Sequence, residues 1–381
     1  MSFQEHISSL NEFYFFREFT FSTNKFYKSP DKEVELADNI VWLDDIFIIY
    51  QLKEREFTQD LTANSEEKWF KKKVIGKAKE QIRDTVVYLQ DFSNIQIQNH
   101  RLDTFNIKVP SPDFVHKLIL YKPHEFLPES CRKHKYYPSK TAGFIHIISS
   151  EDYRGIVKTL ITPAEFADYL MFREQLINKW EDEDTFNLPE QALVGQYLSG
   201  ESENKPNLSF ISYLQQLEHN FEEWDMSGII SIFLERITTK NPPTDYYYII
   251  REIGKLMRHE LREFKTRYKL SMEDAKANKI ILPYRIAIPR TGCGFVFVPV
   301  THDLKETRLN ALQNFTHAHK YDQKLSKCIG VSFVAEEDGW YLIDWCYLDF
   351  PWQHDPELEN NLQHNYPFRK VQSAKLSQYK F

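Results

Sequence analysis

Apolar side chains recur near every 3.6 residues over 5–18. Ile7, Leu10 and Tyr14 share that stripe with Glu18, and Phe13 and Phe16 add bulk, so the pattern predicts an opening helix. Phe19-Thr20-Phe21-Ser22 then alternates with period two, as a strand does. Asn39–Leu43 and Ile46–Tyr50 are apolar runs on either side of Asp44-Asp45, which predicts a β-hairpin. The second run, Ile46-Phe47-Ile48-Ile49-Tyr50, is apolar on both faces and reads as a strand covered on both sides. Over 65–90, Trp69, Val74, Ala78, Ile82, Val86 and Leu89 form the stripe of an amphipathic helix, with Ser65 at its start.

Further along, Phe144–Ile148 reads as a strand. Thr162-Pro163-Ala164-Glu165 is a helix start, with Thr as cap, Pro at the first helical position and Glu closing the box. That helix should run to about Trp180 and end in the acidic run Glu181–Asp184. Residues 199–207 have the composition of a linker. Two helices are expected over 209–238 and 244–269, divided at Asn241-Pro242-Pro243. Strands follow near Tyr284–Ile288, Gly294–Val300, Cys328–Val334 and Tyr341–Tyr347, with a helix near 303–317 among them and a polar, peripheral tail. No internal repeat is present. The fold class is mixed α/β (α+β). A first domain is expected over 1–110, an α+β middle region over 111–200, and a helical segment leading to a C-terminal α+β region over 208–381.

Composition sharpens this. The chain has 381 residues, of which 42% are hydrophobic and 15% aromatic, too apolar for a disordered chain. Only 11 glycines exclude Gly-rich repeats. A formal charge of −7 excludes a globally basic nucleic-acid binder but leaves room for a local basic face. No run of 18 apolar residues is present, and the N-terminus lacks a signal-peptide pattern, so no membrane partner is expected. Cys131, Cys293, Cys328 and Cys346 are scattered, which suits free thiols in the cytoplasm and no zinc site.

The candidate chemistry lies at the open end of the first hairpin. If Asp44-Asp45 is its turn, Asp38 faces Gln51, and Lys53 projects from the same face as Gln51. A carboxylate, an amide oxygen and an ammonium then converge. Hard oxygens of this kind bind Mg²⁺, which polarises a phosphodiester and activates water, while a lysine orients that water or stabilises phosphate charge.

Glu35-Leu36-Ala37-Asp38, the hairpin, and Gln51-Leu52-Lys53 resemble the PD-(D/E)xK nuclease superfamily in its Mrr-like variant, where Gln replaces the acidic residue. Ala37 stands where the family commonly has proline. The resemblance covers roughly residues 10–95. It implies a restriction-endonuclease-like mixed sheet flanked by helices and a metal site built from Asp38, Gln51, the Leu52 carbonyl and a Glu. Glu18 matches that Glu best, with Glu12 and Glu35 as the other options. It implies Mg²⁺ or Mn²⁺ as cofactor, DNA as substrate, catalytic roles for Asp38, Gln51, Lys53 and Glu18, and a Lys or Gln on the following helix, matched by Lys77 and Gln81. The chain as a whole resembles large bacterial proteins that carry such a nuclease, some linked to defence against phage. In that setting the remainder would sense a trigger, bind a partner or contact nucleic acid, and a regulatory partner protein or a homo-oligomer is expected.

Lys72 and Lys73, with Lys77 and Gln81, are candidate nucleic-acid contacts, because the 65–90 helix carries seven Lys or Arg against four acidic residues. Arg132-Lys133-His134-Lys135-Tyr136-Tyr137 with Lys140 is a second basic cluster. Other motifs fall away. Arg258-His259-Glu260 lacks the second histidine of a zinc helix. His317-Ala318-His319 reads as strand or loop without partner cysteines. Gly292-Cys293-Gly294 is no phosphate-binding loop, and Cys293 has no activating histidine nearby. Tyr246-Tyr247-Tyr248 reads as core or partner contact. The alternative function is a non-catalytic interaction module on a degenerate nuclease fold, docking through the 209–269 helices.

Overall fold

The computed structural model describes residues 1–56, 61–107, 115–218 and 244–369, with part of 221–237. Asn241-Pro242-Pro243, most of the expected helix beyond 218, and the end of the tail lie outside the described residues. The chain forms two compact units, residues 1–219 with 227–234, and residues 220–226 with 235–380.

The first unit opens with helix α1 (Phe3–Tyr14), started by a reciprocal Ser2–Glu5 capping box. It stops short of the expected residue 18. Phe16 takes a φ of 65°, which turns the chain into a 3₁₀ turn at Arg17–Phe19. The strands that follow are β1 (Thr20–Phe21), β2 (Lys25–Ser29), β3 (Lys32–Glu35), β4 (Asn39–Leu43) and β5 (Ile46–Lys53). A long helical stretch comes next: α2 (Ala63–Trp69), a π-helical segment (Phe70–Lys77) and α3 (Ala78–Asp91). Its cap is Thr62. Ser65 sits three positions inside and returns the capping bond, which is why it looked like a start in the sequence. Strands β6 (Gln96–Gln98), β7 (Thr104–Asn106), β8 (Val115–Tyr121), β9 (Tyr136–Ser139) and β10 (Gly143–Ser149) complete the set.

Six of these strands form a mixed sheet in the order β1-β4-β5-β8-β10-β9. β4 is antiparallel to both β1 and β5, β8 and β10 run parallel to β5, and β9 is antiparallel to β10. The sheet therefore runs straight through the expected domain boundary at 110. β8, which no periodicity marked, is its centre, so the 1–110 and 111–200 regions are one body. Helices flank the sheet. On one face, α2, the π segment and α3 lay Phe70, Val74, Ala78 and Ile82 over Ile40, Phe47, Ile49 and Ile119. On the other, Tyr50 of β5 meets Tyr153 of the helix Ser150–Thr159, with ring centroids 5.8 Å apart. The helix Pro163–Lys179 starts with Thr162 as cap, as expected. The 199–207 stretch lies inside this unit, where it follows the left-handed Gly200 that ends the helix Glu190–Ser199.

The second unit carries a four-stranded sheet, β11 (Tyr284–Ile288), β12 (Cys293–Val300), β13 (Lys327–Ala335) and β14 (Tyr341–Asp349), in that order. The β12–β13 pair is parallel and the other two are antiparallel. The helix expected over 244–269 is two helices, Tyr246–Gly254 and Arg258–Lys276. Met257 adopts an extended conformation between them, its N–H capped by Glu260 at 2.8 Å. His317 and His319 lie on the crossover helix Arg308–Asp322, not on a strand or loop. Gly330 lets that helix close on β13, since a Cβ there would stand 2.0 Å from Thr316 Oγ1.

His319 is sealed in this unit, and burial with the Arg285 charge pushes its imidazole pKa down to about 4, against the Ile286 carbonyl that favours protonation. A folded pKa below the unfolded 6.5 means that the neutral ring's contribution is complete above pH 6.5 and is lost as pH falls towards 4. The expected outcome is a fall of roughly 3 kcal/mol in stability across that window, removed in His319→Gln, by urea unfolding at stepped pH.

Candidate active site

The hairpin register is the one the sequence predicts. Asn39 pairs with Tyr50 and Leu43 with Ile46, and the Asp38 N–H donates to the Tyr50 carbonyl at 3.1 Å. The alternation of β5 then places Gln51 and Lys53 in the row of Phe47 and Ile49, on the face covered by the long helical stretch.

Asp38 Oδ2 accepts the Leu52 N–H at 2.6 Å and lies 3.5 Å from Lys53 Nζ. Lys53 Nζ also donates to the Leu52 carbonyl at 2.9 Å. Of the expected trio, Asp38 and Lys53 meet, with the Leu52 backbone between them. Gln51 is 3% exposed, and its Oε1 is buried without a hydrogen-bond partner. A stranded amide oxygen costs about 1–3 kcal/mol. It is the kind of atom a cation would satisfy.

The segment that delivers Asp38 is held from two sides. Asn24 Oδ1 accepts the N–H groups of Leu36 at 3.1 Å and Ala37 at 2.9 Å, and Thr85 of α3 donates to the Leu36 carbonyl. Ala37 gives Asn24 an N–H that a proline at this position would lack. From the other side, Gln4 of α1 donates to the Asp38 carbonyl at 3.1 Å. Below it, Ser8 and Asn11 bond the Asn39 amide at 3.0 and 2.8 Å, and Tyr153 links Asn11 to Tyr50. Sequence reasoning missed Gln4, Asn24 and Thr85. The spacing of Gln4, Ser8 and Asn11 on one helical face was the available signal for Gln4.

Of the three candidate acids, Glu35 stands nearest Asp38 in the chain, at the end of β3, and Glu18 lies away from it. Partial burial raises the Glu35 pKa, the Asp38 charge raises it further, and Lys25 and Lys53 oppose this. Glu18 cannot complete the set. The pairing of Thr20 with Val41 carries residue 18 to the Leu43 end of β4, roughly 17 Å along the strand from Asp38. There it is buried among Asn99, Arg101 and Asp103. Glu12 is drawn to the same end, 3.3 Å from His100. The cause is the early stop of α1 at Tyr14.

Lys77 is exposed on the π segment, a helix form common at functional positions. Burial pushes the Lys53 pKa down, Asp38 and Glu35 pull it back up, and the Lys77 charge adds to the downward push. Gln81 presents a second buried Oε1 without a partner, and its carbonyl shares the Thr85 hydroxyl. Lys72 and Lys73 are exposed on the same stretch.

Replacing Gln51 tests the stranded oxygen. Gln51→Leu is expected to gain about 1–3 kcal/mol of stability while binding Mn²⁺ at least about tenfold more weakly. Urea unfolding and metal titration by calorimetry measure the two.

Elsewhere the chemistry is poorer. Among the described residues no three His, Cys, Asp or Glu side chains gather to hold a metal ion. Cys293 is fully buried, and burial pushes its thiol pKa well up, as befits a core residue. The second unit holds a cavity of about 300 Å³ beside His317, Tyr321, Phe350 and Trp352, but its Lys320 is already bonded to the Phe350 carbonyl at 2.6 Å. Among the described residues no helix is long and apolar enough to cross a membrane. No protein-family model, curated protein or solved structure matches this chain.

Proposed function

We propose that the first unit is a metal-dependent nuclease of the PD-(D/E)xK type, in the Mrr-like variant with Gln-x-Lys, that cleaves DNA phosphodiester bonds. The observation that carries this reading is the buried, unpartnered Oε1 of Gln51, a residue opposite Asp38 in the hairpin register and on the same strand face as Lys53. Asp38, Gln51 Oε1 and the Leu52 carbonyl would hold Mg²⁺ or Mn²⁺, with Glu35 in place of Glu18 as the nearby second acid. The ion, when bound, supplies polarisation of the phosphodiester and a more acidic water. Lys53 supports the negative charge developing on the phosphoryl oxygens and orients the attacking water through Nζ. Water adds to phosphorus and gives up a proton, the bond to the leaving oxygen breaks, and that oxygen takes up a proton. Burial of Gln51 and the clamp on Leu36 and Ala37 keep these groups in place. A cytoplasmic setting, a role in antiviral defence and a regulatory partner or homo-oligomer belong to the same proposal.

One observation favours a second reading. Lys53 Nζ lies on two of the oxygens a metal would need, Asp38 Oδ2 and the Leu52 carbonyl, so the carboxylate is already neutralised. A degenerate nuclease fold acting as a non-catalytic interaction module would look the same. Incubating purified protein with supercoiled plasmid and Mg²⁺ or Mn²⁺ decides. Metal-dependent nicking supports the nuclease. Inert plasmid together with no Mn²⁺ binding by calorimetry supports the interaction module.

A further inference from the structure

Two basic segments far apart in sequence form one surface in the first unit. At one end, the rings of Phe70 and His134 stack with centroids 5.8 Å apart and planes 27° apart. At the other, Lys79 Nζ lies 4.5 Å from the Tyr137 ring centroid and donates to its hydroxyl at 3.2 Å. The helix from Phe70 to Lys79 thus lies along the segment from His134 to Tyr137.

The cations on this surface differ in how they are engaged. Lys71 is held by Glu67 at 2.6 Å and Lys77 approaches Glu80 at 4.0 Å. Among the described residues, no ion pair holds Lys72 or Lys73 on the helix, or Lys133 or Lys140 beside it. Uncommitted ammonium groups on two adjoining segments suit a polyanion. The same helical stretch covers the sheet face that carries Gln51 and Lys53, so this surface lies on the side of the sheet where the Asp38–Lys53 site lies.

We propose that the Phe70–Lys79 helix face and the Lys133–Lys140 segment form a single track for a nucleic-acid backbone, to one side of the bond to be cut. This rests on the nuclease reading for where the cut bond lies. The surface itself is tested by binding alone.

The experiment compares wild type with the double variant Lys133→Glu/Lys140→Glu by fluorescence anisotropy in EDTA, so that nothing is cleaved. The probes are a labelled 20-base-pair DNA duplex and a labelled 20-nucleotide RNA strand, each titrated across salt. Affinity for one or both should fall at least about tenfold, and the log–log salt slope should become shallower by nearly two, at 0.7–0.9 per lost phosphate contact. Loss on the duplex only or the RNA only says which backbone the track takes. Unchanged affinity and slope on both probes overturns the proposal, as does a wild type that binds neither. Urea midpoints check folding, and Lys72→Ala/Lys73→Ala gives the same readout if the charge reversals unfold the chain. Wild-type hydrolysis of bis(p-nitrophenyl) phosphate with Mn²⁺ uses a diester too small to reach the track. Its failure would count against the catalytic reading and leave the binding result standing.

Discussion

Asp38→Ala and Lys53→Ala are each expected to lower metal-dependent plasmid cleavage by about 10²–10³-fold or more, the usual cost of removing a preorganised charged group from a reaction centre. The two variants should fail differently. Asp38 accepts the Leu52 N–H at 2.6 Å, so its loss also strands a backbone donor and frees the start of β4. Lys53→Ala removes only Nζ from Asp38 and the Leu52 carbonyl. It should therefore bind Mn²⁺ at least as tightly as wild type while losing turnover. Full metal-dependent cleavage by Lys53→Ala would defeat the nuclease reading. Metal titration by calorimetry beside the cleavage assay gives both numbers.

The largest stability effect is expected at Arg173, which is fully buried behind the sheet. Its guanidinium forks onto Glu190 at 2.6 and 3.2 Å and reaches the Lys135 carbonyl at 3.1 Å and His146 Nδ1 at 3.0 Å. Burial alone would raise the Glu190 pKa. Arg173 and then Lys135 overcome it and hold that carboxyl down at about 2. Arg173→Met leaves this carboxylate buried with only the Lys135 ammonium at 3.5 Å and the Tyr169 hydroxyl at 2.5 Å. The expected cost is about 3–5 kcal/mol, a drop in Tm of roughly 10 °C for a unit of this size. Adding Glu190→Gln should recover part of it, because a neutral amide costs less to bury than an unpaired charge. Calorimetric scans of the single and double variants measure both steps. Equal Tm for wild type and Arg173→Met would show that the pair contributes nothing.

The candidate site was legible to different depths. The Asp38–Gln51 facing and the shared side of Gln51 and Lys53 follow from the hairpin register, because a two-residue turn between apolar runs allows one pairing that buries the right face. The helix over the site was legible from its stripe. The third acid was not. Glu18 had the better position by sequence order, yet the antiparallel β1–β4 pairing sends it to the far end of the hairpin. The domain boundary at 110 failed for a related reason. β8 is an apolar run with no local partner, and it is defined by its parallel neighbours β5 and β10.

By itself the sequence determined the local features: the hairpin and its register, the helical stripe, the Thr162 cap, and the residue types at the hairpin's open end. These depend on neighbours a few positions apart, where backbone geometry leaves few choices. Only the tertiary structure decided which remote groups join them. It stranded the Gln51 oxygen, clamped Ala37 with Asn24, carried Glu18 away from Asp38, and laid the Lys72 helix along the His134–Tyr137 segment. Each outcome turns on long-range strand order and helix packing, which are set by the burial of the whole sheet and leave no periodic trace in the chain.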